Sequence, residues 1–313
     1  MNLLALNRSV LEYMKKKKRF IAFIGVLILC IVTVTIISSK IKNNTVDIKA
    51  DEIEQKKDKD DSNADKNTTK EITLDNSNYL SLENDPNADD ASVVLPETMY
   101  KWNFQRTDNR KIAYLTFDDG PSENVTIPIL DVLKENNIKA TFFTLGTSIE
   151  DTPKSGEILK RMAKEGHAIA NHGYSHNYKL LYPNGWIDVN TFMNDMNKNR
   201  QILKEKLGKD FDTRVIRMPG GHCSWNGITA LDQELAKQGL YQTDWNTLNG
   251  DAEGNNHTPE QLLSRLKDTL EQFDYDTVIV LMHDSTSKQT TAQYLQSAID
   301  YLRAKGFEFR TLK

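Results

Sequence analysis

Apolar positions fall along this chain in three regimes. From Phe20 to Ser39 there is no charged residue, and the eighteen residues from Phe20 to Ile37 are almost all apolar. At about 1.5 Å per residue, a helix of that length just crosses a hydrocarbon core of about 30 Å. Between residues 40 and 98 apolar side chains are sparse, glycine is absent and charges of both signs mix, as in Lys56-Lys57-Asp58-Lys59-Asp60-Asp61. Such a segment buries too little to offset the entropy of ordering, which predicts a disordered stalk over 40–98. Short apolar patches at Tyr79-Leu80 and Val93-Val94-Leu95 are candidates to dock on the domain that follows.

From about Lys101 the pattern alternates between strand and helix periods. Strands are predicted at Ile112–Asp118, Ala140–Gly146, His167–Asn171, Arg214–Pro219, Leu240–Asp244, Thr277–His283 and Phe307–Thr311. Helices are predicted at Val125–Asn136, Gly156–Glu165, Val189–Leu207, Ile228–Gln238, Pro259–Phe273 and Thr291–Lys305. Ile129, Val132 and Leu133 show the helical i, i+3, i+4 stripe, and Thr258-Pro259 reads as a cap followed by an N1 proline. Strands alternating with helices imply an α/β class with a parallel sheet. Asp118-Asp119, His172, Arg217, Asp244 and His283 each stand at the C-terminal end of a different strand. Those ends converge on one face in a barrel, whereas an open sheet would spread them along an edge. The expectation is a distorted (β/α) barrel of about seven parallel strands over residues 99–313.

Charge sharpens the reading of the N-terminus. The 313 residues carry a net charge of −4, yet residues 1–19 hold Arg8, Lys15 to Lys18 and Arg19 against Glu12 alone. Cations directly before an apolar span place the preceding tail in the cytoplasm and the following chain outside. Residues 1–19 are thus a cytoplasmic tail, 20–39 a single-pass transmembrane anchor and 40–98 an extracellular stalk. A cleaved signal peptide is the rival, but the apolar run is long and no small-x-small site follows. The acidic remainder argues against a nucleic-acid partner. Only Cys223 lies beyond the span, so no intramolecular disulfide can form there. No obligate protein partner is evident.

The chemistry is carried by five short motifs. Thr116-Phe117-Asp118-Asp119-Gly120-Pro121 sets two carboxylates side by side where Gly120-Pro121 ends a strand. Like charges so close need a cation between their roles, and a metal on one leaves the other free as a base. His172 and His176, four apart, would share one side of a helical turn, and two His with one Asp leave a position open for water. That set suits catalytic zinc and is shared with non-haem iron. Arg217-Met218-Pro219-Gly220-Gly221 offers an inward guanidinium with Asp118 as its anion. Asp244-Trp245 leads into Asn249-Gly250-Asp251, and Leu281-Met282-His283 delivers a histidine at the end of a buried strand. Each motif alone has a bland reading as a surface turn or a packed histidine.

Together they resemble the polysaccharide deacetylases of carbohydrate esterase family 4, the NodB homology domain, over roughly residues 107–313. The resemblance implies a distorted (β/α) barrel, and within it Asp118 as catalytic base with Asp119, His172 and His176 as ligands of one divalent ion. Zinc is the first choice, with cobalt or nickel compatible. Arg217 resembles the residue that orients the base, His283 the general acid, and Asp244 the carboxylate that keeps the acid charged, ahead of its competitor Asp251. Leu281 and Trp245 resemble walls of an acetyl-methyl pocket, and the Gly220 N–H an oxyanion donor. The family usually has an aromatic residue where Gly220 stands, which implies a wider groove here. The implied reaction is metal-assisted N-deacetylation of a cell-wall polysaccharide, with peptidoglycan N-acetylglucosamine ahead of exopolysaccharide, chitin or xylan. A phosphate-handling hydrolase and a non-catalytic carbohydrate-binding barrel are the rivals. Among the remaining residues, His167 and His257 read as solvated, His222 as a candidate to line the groove or bind a second metal, and Cys223 as a buried or inert thiol. The loop aromatics Tyr178, Tyr182, Trp186 and Trp225 are placed where they either stack on sugars or simply pack.

Overall fold

The computed structural model describes residues 82–254 and 256–313. The basic tail, the apolar span over 20–39 and the stalk as far as residue 81 lie outside the described residues. Among the described residues, no helix is long and apolar enough to cross a membrane.

The longest predicted strands form where the alternation placed them. These are β2 (Lys111–Asp118) and β8 (Thr277–His283), joined by β3 (Thr141–Thr144) and β4 (Ala168–Asn171). The expected Arg214–Pro219 and Leu240–Asp244 shrink to β5 (Val215–Ile216) and β6 (Tyr241–Gln242). Pro219 has no N–H for a ladder, and the last rung is the Arg217 N–H donating to the Asn171 carbonyl at 3.0 Å, with the Arg217 side chain on the inner face like that of Val215. A strand absent from the sequence reading, β7 (Thr247–Leu248), pairs with β8. Two residues are too few to show a period. All pairs are parallel, in the order β6-β5-β4-β3-β2-β8-β7, with β9 (Phe307–Phe309) beside the start of β2.

Chain connectivity forces this sheet to curl. Seven strands spaced about 4.8 Å would set the flat sheet's edges about 29 Å apart. Those edges, β6 and β7, are linked only through residues 243–246, a path of at most about 18 Å. The parallel strands therefore wrap into a curled, barrel-like α/β fold, in keeping with the expected barrel.

Alternation then sorts side chains between two cores. Ala113, Leu115 and Phe117 of β2, with Val278, Val280 and Met282 of β8, face outward onto helices Thr126–Glu135, Ser155–Lys164, Val189–Leu207, Pro259–Glu271 and Gln289–Ala304. Ile112, Tyr114, Phe143, Ala170 and Ile279 face inward. The same inner face carries Thr116 and Asp118 on β2, and Leu281 and His283 on β8. Strand geometry, before any special contact, delivers those four groups to one place.

A disordered stalk reaching residue 98 is not what the structure has. Strand β1 (Ala88–Asp89) pairs with β10 (Thr311–Leu312), and helix α1 (Ala91–Glu97) closes the N-terminal end of the inner core. Ala91, Leu95 and Met99, four apart, are all buried. That spacing is masked in sequence by Val93 and Val94, which make the segment read as a short apolar patch, and by Pro96 inside the helix. Of the docking patch named above, Leu95 is fully buried while Val93 is 64 % exposed. The folded domain includes residues 82–98.

Candidate active site

The two adjacent aspartates diverge because the backbone turns between them. Asp118 is the last residue of β2, and Asp119 adopts a left-handed φ of 75°. Asp118 is buried, and its Oδ1 accepts from Arg217 Nη1 at 2.8 Å. Arg217 is itself wholly buried, and every one of its nitrogens donates. It donates to Thr116 Oγ1 (2.8 Å) and to the carbonyls of Thr243 (3.0 Å) and Asp244 (3.1 Å), with its Cζ over the Phe143 ring, 4.1 Å from the ring centre. A buried guanidinium is tolerable only when paired and hydrogen-bonded in this way. Burial pushes the Asp118 carboxyl above its ordinary range, with Arg217 and then His283 opposing.

Asp119 meets the two histidines instead. Its Oδ1 lies 3.5 Å from His172 Nε2 and 3.6 Å from His176 Nε2, and it is buried without a hydrogen-bond partner. Tetrahedral ligands bound at about 2.0–2.1 Å stand about 3.3–3.5 Å apart, so the three donor atoms fit a single ion. The orphaned oxygen is what such an ion would satisfy. His172 Nδ1 donates to the Arg217 carbonyl at 2.9 Å, which fixes the tautomer and leaves Nε2 as the free donor. Burial lowers His172 to about 3, with Asp119 opposing, so the ring is neutral as a ligand must be. The pair does not sit on a helical turn, as the spacing suggested. His172 to His176 is a loop, and His176 is left-handed at φ 49°.

That loop is held by residues the sequence reading passed over. Asp195 accepts from the backbone N–H of Tyr174 (2.7 Å) and Ser175 (3.2 Å). Asn199 donates to Asn171 Oδ1 (2.9 Å), which also accepts from the Gly173 N–H. Asp195 and Asn199 lie on the buried stripe of Val189–Leu207, among Phe192, Met196 and Leu203. Polar residues four apart on an apolar face were the available signal.

Asp284 is another omission. Its N–H donates to the Asp118 carbonyl at 3.0 Å, and its Oδ2 accepts from Thr126 Oγ1 at 2.6 Å. A Cβ on residue 120 would lie 2.1 Å from that carboxyl, so only glycine fits there. Burial raises Asp284 to about 7, with the Thr126 hydrogen bond opposing and the Asp119 and Asp118 charges adding.

His283 and Asp118 are register partners on adjacent strands, and Leu281 stands one step inward opposite Thr116. The carboxylate on His283 is Asp251, which corrects the preference for Asp244. Asp251 Oδ1 accepts from His283 Nδ1 at 2.7 Å. Its Oδ2 accepts from the His283 N–H (2.8 Å) and Thr291 Oγ1 (2.7 Å). Burial alone would lower His283, but the charge and hydrogen bond of Asp251, with Asp119 and Asp118 adding, raise it to about 9. Asp244 faces the other way. Its Oδ1 accepts from the His222 N–H (2.9 Å) and Gln242 Nε2 (2.6 Å). It shapes the loop after Arg217, and the four-residue link to β7 carries it away from His283. Trp245 follows, 5.7 Å from the Arg217 guanidinium.

Gly220, at φ 78°, does not open a wider groove. A Cβ there would lie 3.0 Å from the Trp225 ring and 3.3 Å from Tyr178 Oη. Aromatic rings from other loops close that side. His222 pairs with Asp232 at 2.7 Å. His167 is buried rather than solvated, its Nδ1 accepting from the Ala140 N–H at 3.1 Å.

A curled parallel α/β sheet that carries an Asp-His-His set able to hold an ion, with a second, clasped aspartate beside it, has the groups a metal-assisted hydrolase needs. Comparison with known proteins makes this specific. The polysaccharide deacetylase family model matches residues 105–240. A peptidoglycan-N-acetylglucosamine deacetylase of Bacillus cereus is 30 % identical over 202 residues, 64 % of this chain and 68 % of that protein. The structure of a Streptococcus mutans CE4 esterase aligns with a TM-score of 0.65 at 38 % identity, covering 72 % of this chain and 92 % of that one. The catalytic domain of a Eubacterium rectale peptidoglycan N-acetylglucosamine deacetylase aligns with a TM-score of 0.57 at 30 % identity, covering 67 % and 91 %. The chain belongs to the polysaccharide deacetylase family.

Proposed function

We propose that this chain is a membrane-anchored, extracellular, metal-dependent N-deacetylase acting on N-acetylglucosamine units of peptidoglycan. The observation that carries the reading is the division between the aspartates: Asp118 is committed to Arg217, while Asp119 Oδ1 has only the two histidines near it. Asp119, His172 and His176 would hold a divalent ion, zinc first among candidates, which when bound polarises the acetyl carbonyl and acidifies water.

The remaining work falls to the chain's own groups. Asp118 takes the proton of the attacking water through Oδ2, since Oδ1 is held by Arg217. The Gly220 N–H is the proposed backbone donor to the developing oxyanion. His283, kept protonated by Asp251, donates from Nε2 to the departing amine. Leu281 and Trp245 are proposed to enclose the acetyl methyl. The products are acetate and a glucosamine unit.

Peptidoglycan is favoured because the Bacillus cereus and Eubacterium rectale relatives are named for it. The anchor and stalk proposed from residues 20–81 would hold the enzyme within reach of an immobile envelope polymer. Mass spectrometry of muropeptides after exposure to the zinc-loaded full chain tests this. Loss of acetyl from N-acetylglucosamine is expected, and unchanged muropeptides alongside acetate release from another glycan would move the substrate elsewhere.

A further inference from the structure

Six large apolar side chains are exposed among the described residues, and three of them fall within nine positions just after the histidine loop. Tyr178 is 43 % exposed, Leu180 50 % and Trp186 60 %. Exposed aromatic rings on the segment that follows a donor loop are candidates to bind a ligand.

Trp186 is not on a free tip. The carbonyl of Gly185 accepts from the Asn226 N–H (2.9 Å), and the Ile187 N–H donates to the Asn226 carbonyl (3.0 Å). Next to Asn226, Trp225 donates its indole N–H to the Pro219 carbonyl at 3.0 Å and packs 5.1 Å from Tyr178. Tyr178 in turn packs 5.1 Å from the ring of His176. An aromatic path therefore runs from the donor set outward, pinned by backbone hydrogen bonds to the segment that carries Trp186. Exposed amides interrupt it, at Asn184 and Asn226.

We propose that Trp186, with Tyr178 between it and the catalytic residues, is a sugar-binding shelf. It takes the apolar face of a pyranose ring some units away from the one being deacetylated, so that long glycans are preferred to short ones. Flat rings flanked by amide donors and acceptors suit a ligand with C–H faces and a hydroxyl rim. Pre-ordered rings also lose little entropy when a sugar stacks on them. The inference rests on the deacetylase reading for its choice of occupant.

The test separates binding from turnover. Binding of β-1,4-linked N-acetylglucosamine dimer and hexamer is measured by calorimetry on the full chain carrying Asp118→Asn, with and without Trp186→Ala. Hexamer affinity is expected to fall about 10-fold with Trp186→Ala while dimer affinity holds, the usual weight of a truncated aromatic contact. Trp186→Phe should restore most of the loss. In the otherwise unaltered enzyme, Trp186→Ala should raise KM for the hexamer and leave kcat and the pH profile in place. Equal hexamer affinity with and without Trp186, an equal loss for dimer and hexamer, or a hexamer that does not bind at all overturns the shelf. Binding through Trp186 without acetate release would overturn the deacetylase reading and leave the shelf standing.

Discussion

At the C-terminal ends of the strands, Asp118, Asp119, Arg217, Asp251, His172 and His283 share a small, largely buried space. At the N-terminal ends the inner core is closed by Leu95, Phe104, Tyr114 and Leu312, with one polar clasp, Asp89 to Arg310 and Tyr114 at 2.6 Å. The first arrangement spends stability and the second supplies it. Every buried charge at the catalytic end carries a desolvation penalty met only by exact partners, so removing one partner leaves another group exposed to that penalty. The closed end gains from burial alone, which tolerates approximate shape but not lost volume. Changes at the two ends should therefore be separable: activity and metal at one, stability at the other.

The largest effects are expected where the aspartates divide. Asp118→Asn should lower kcat by about 10²–10⁴ with zinc content unchanged, because the proposed base is lost and the proposed donor set is not. Asp119→Asn should arrive without metal, since a neutral amide is a poor partner for an ion held by two imidazoles. Zinc analysis beside kcat decides between them, and a metal-free Asp118→Asn would reverse the two roles. Chelation of the parent enzyme should abolish acetate release while far-UV circular dichroism stays native, because the donors sit on an already packed barrel.

At the closed end, Leu95→Ala should cost about 2–5 kcal/mol of stability, the range for a buried leucine, with kcat per folded molecule unchanged. A chain begun at residue 99 should fare worse than one begun at 82, because it strips α1 and β1 from the inner core. Urea unfolding measures both. A chain from 99 as stable as that from 82 would mean that the closure is an ornament on the barrel.

How much of this was readable in sequence follows the same division. The long strands, six of the helices and the five motifs were legible because alternation and residue chemistry are local. Asp118, Asp119, His172, Arg217 and His283 converge as their strand-end positions implied, and His176 joins them from a loop rather than from the helical turn its spacing suggested. What sequence could not rank was Asp244 against Asp251. Both follow the β6 region closely, and the choice depends on a four-residue link that turns one away and on Thr291, forty residues later, which fixes the other. The closing helix was missed for a different reason. Val93 and Val94 fill the gap between Ala91 and Leu95, so the segment reads as a short apolar patch with a proline in it, although the spacing of four was there to be found. The Asp284 contact with Gly120 is a long-range steric fact that no pattern announces.

The smallest effect is also the one that bears on that ambiguous pair. His283 titrates at about 9, against an ordinary value near 6.5, chiefly because Asp251 overcomes the effect of burial. A raised value means the folded state holds this proton more tightly than the unfolded chain does. Its stabilisation is complete below about pH 6.5 and is lost as pH rises through 9. In the general-acid role proposed for His283, the same proton must be present for turnover, so the rate should fall on the alkaline side near 9. On the acid side it should fall as Asp118 takes up a proton, at a pH above the ordinary carboxylate range. Asp251→Asn removes the charge that lifts His283, leaving burial to depress it. The alkaline limb should then move down by about one unit or more, while the acid limb, assigned to the proposed base Asp118, should stay. Asp244→Asn should leave both limbs in place, its loss confined to the loop that carries Gly220 and His222. A pH–rate profile for each variant suffices. An alkaline limb that moves with Asp244 and ignores Asp251 would mean that the hydrogen bond at 2.7 Å is not what tunes the acid.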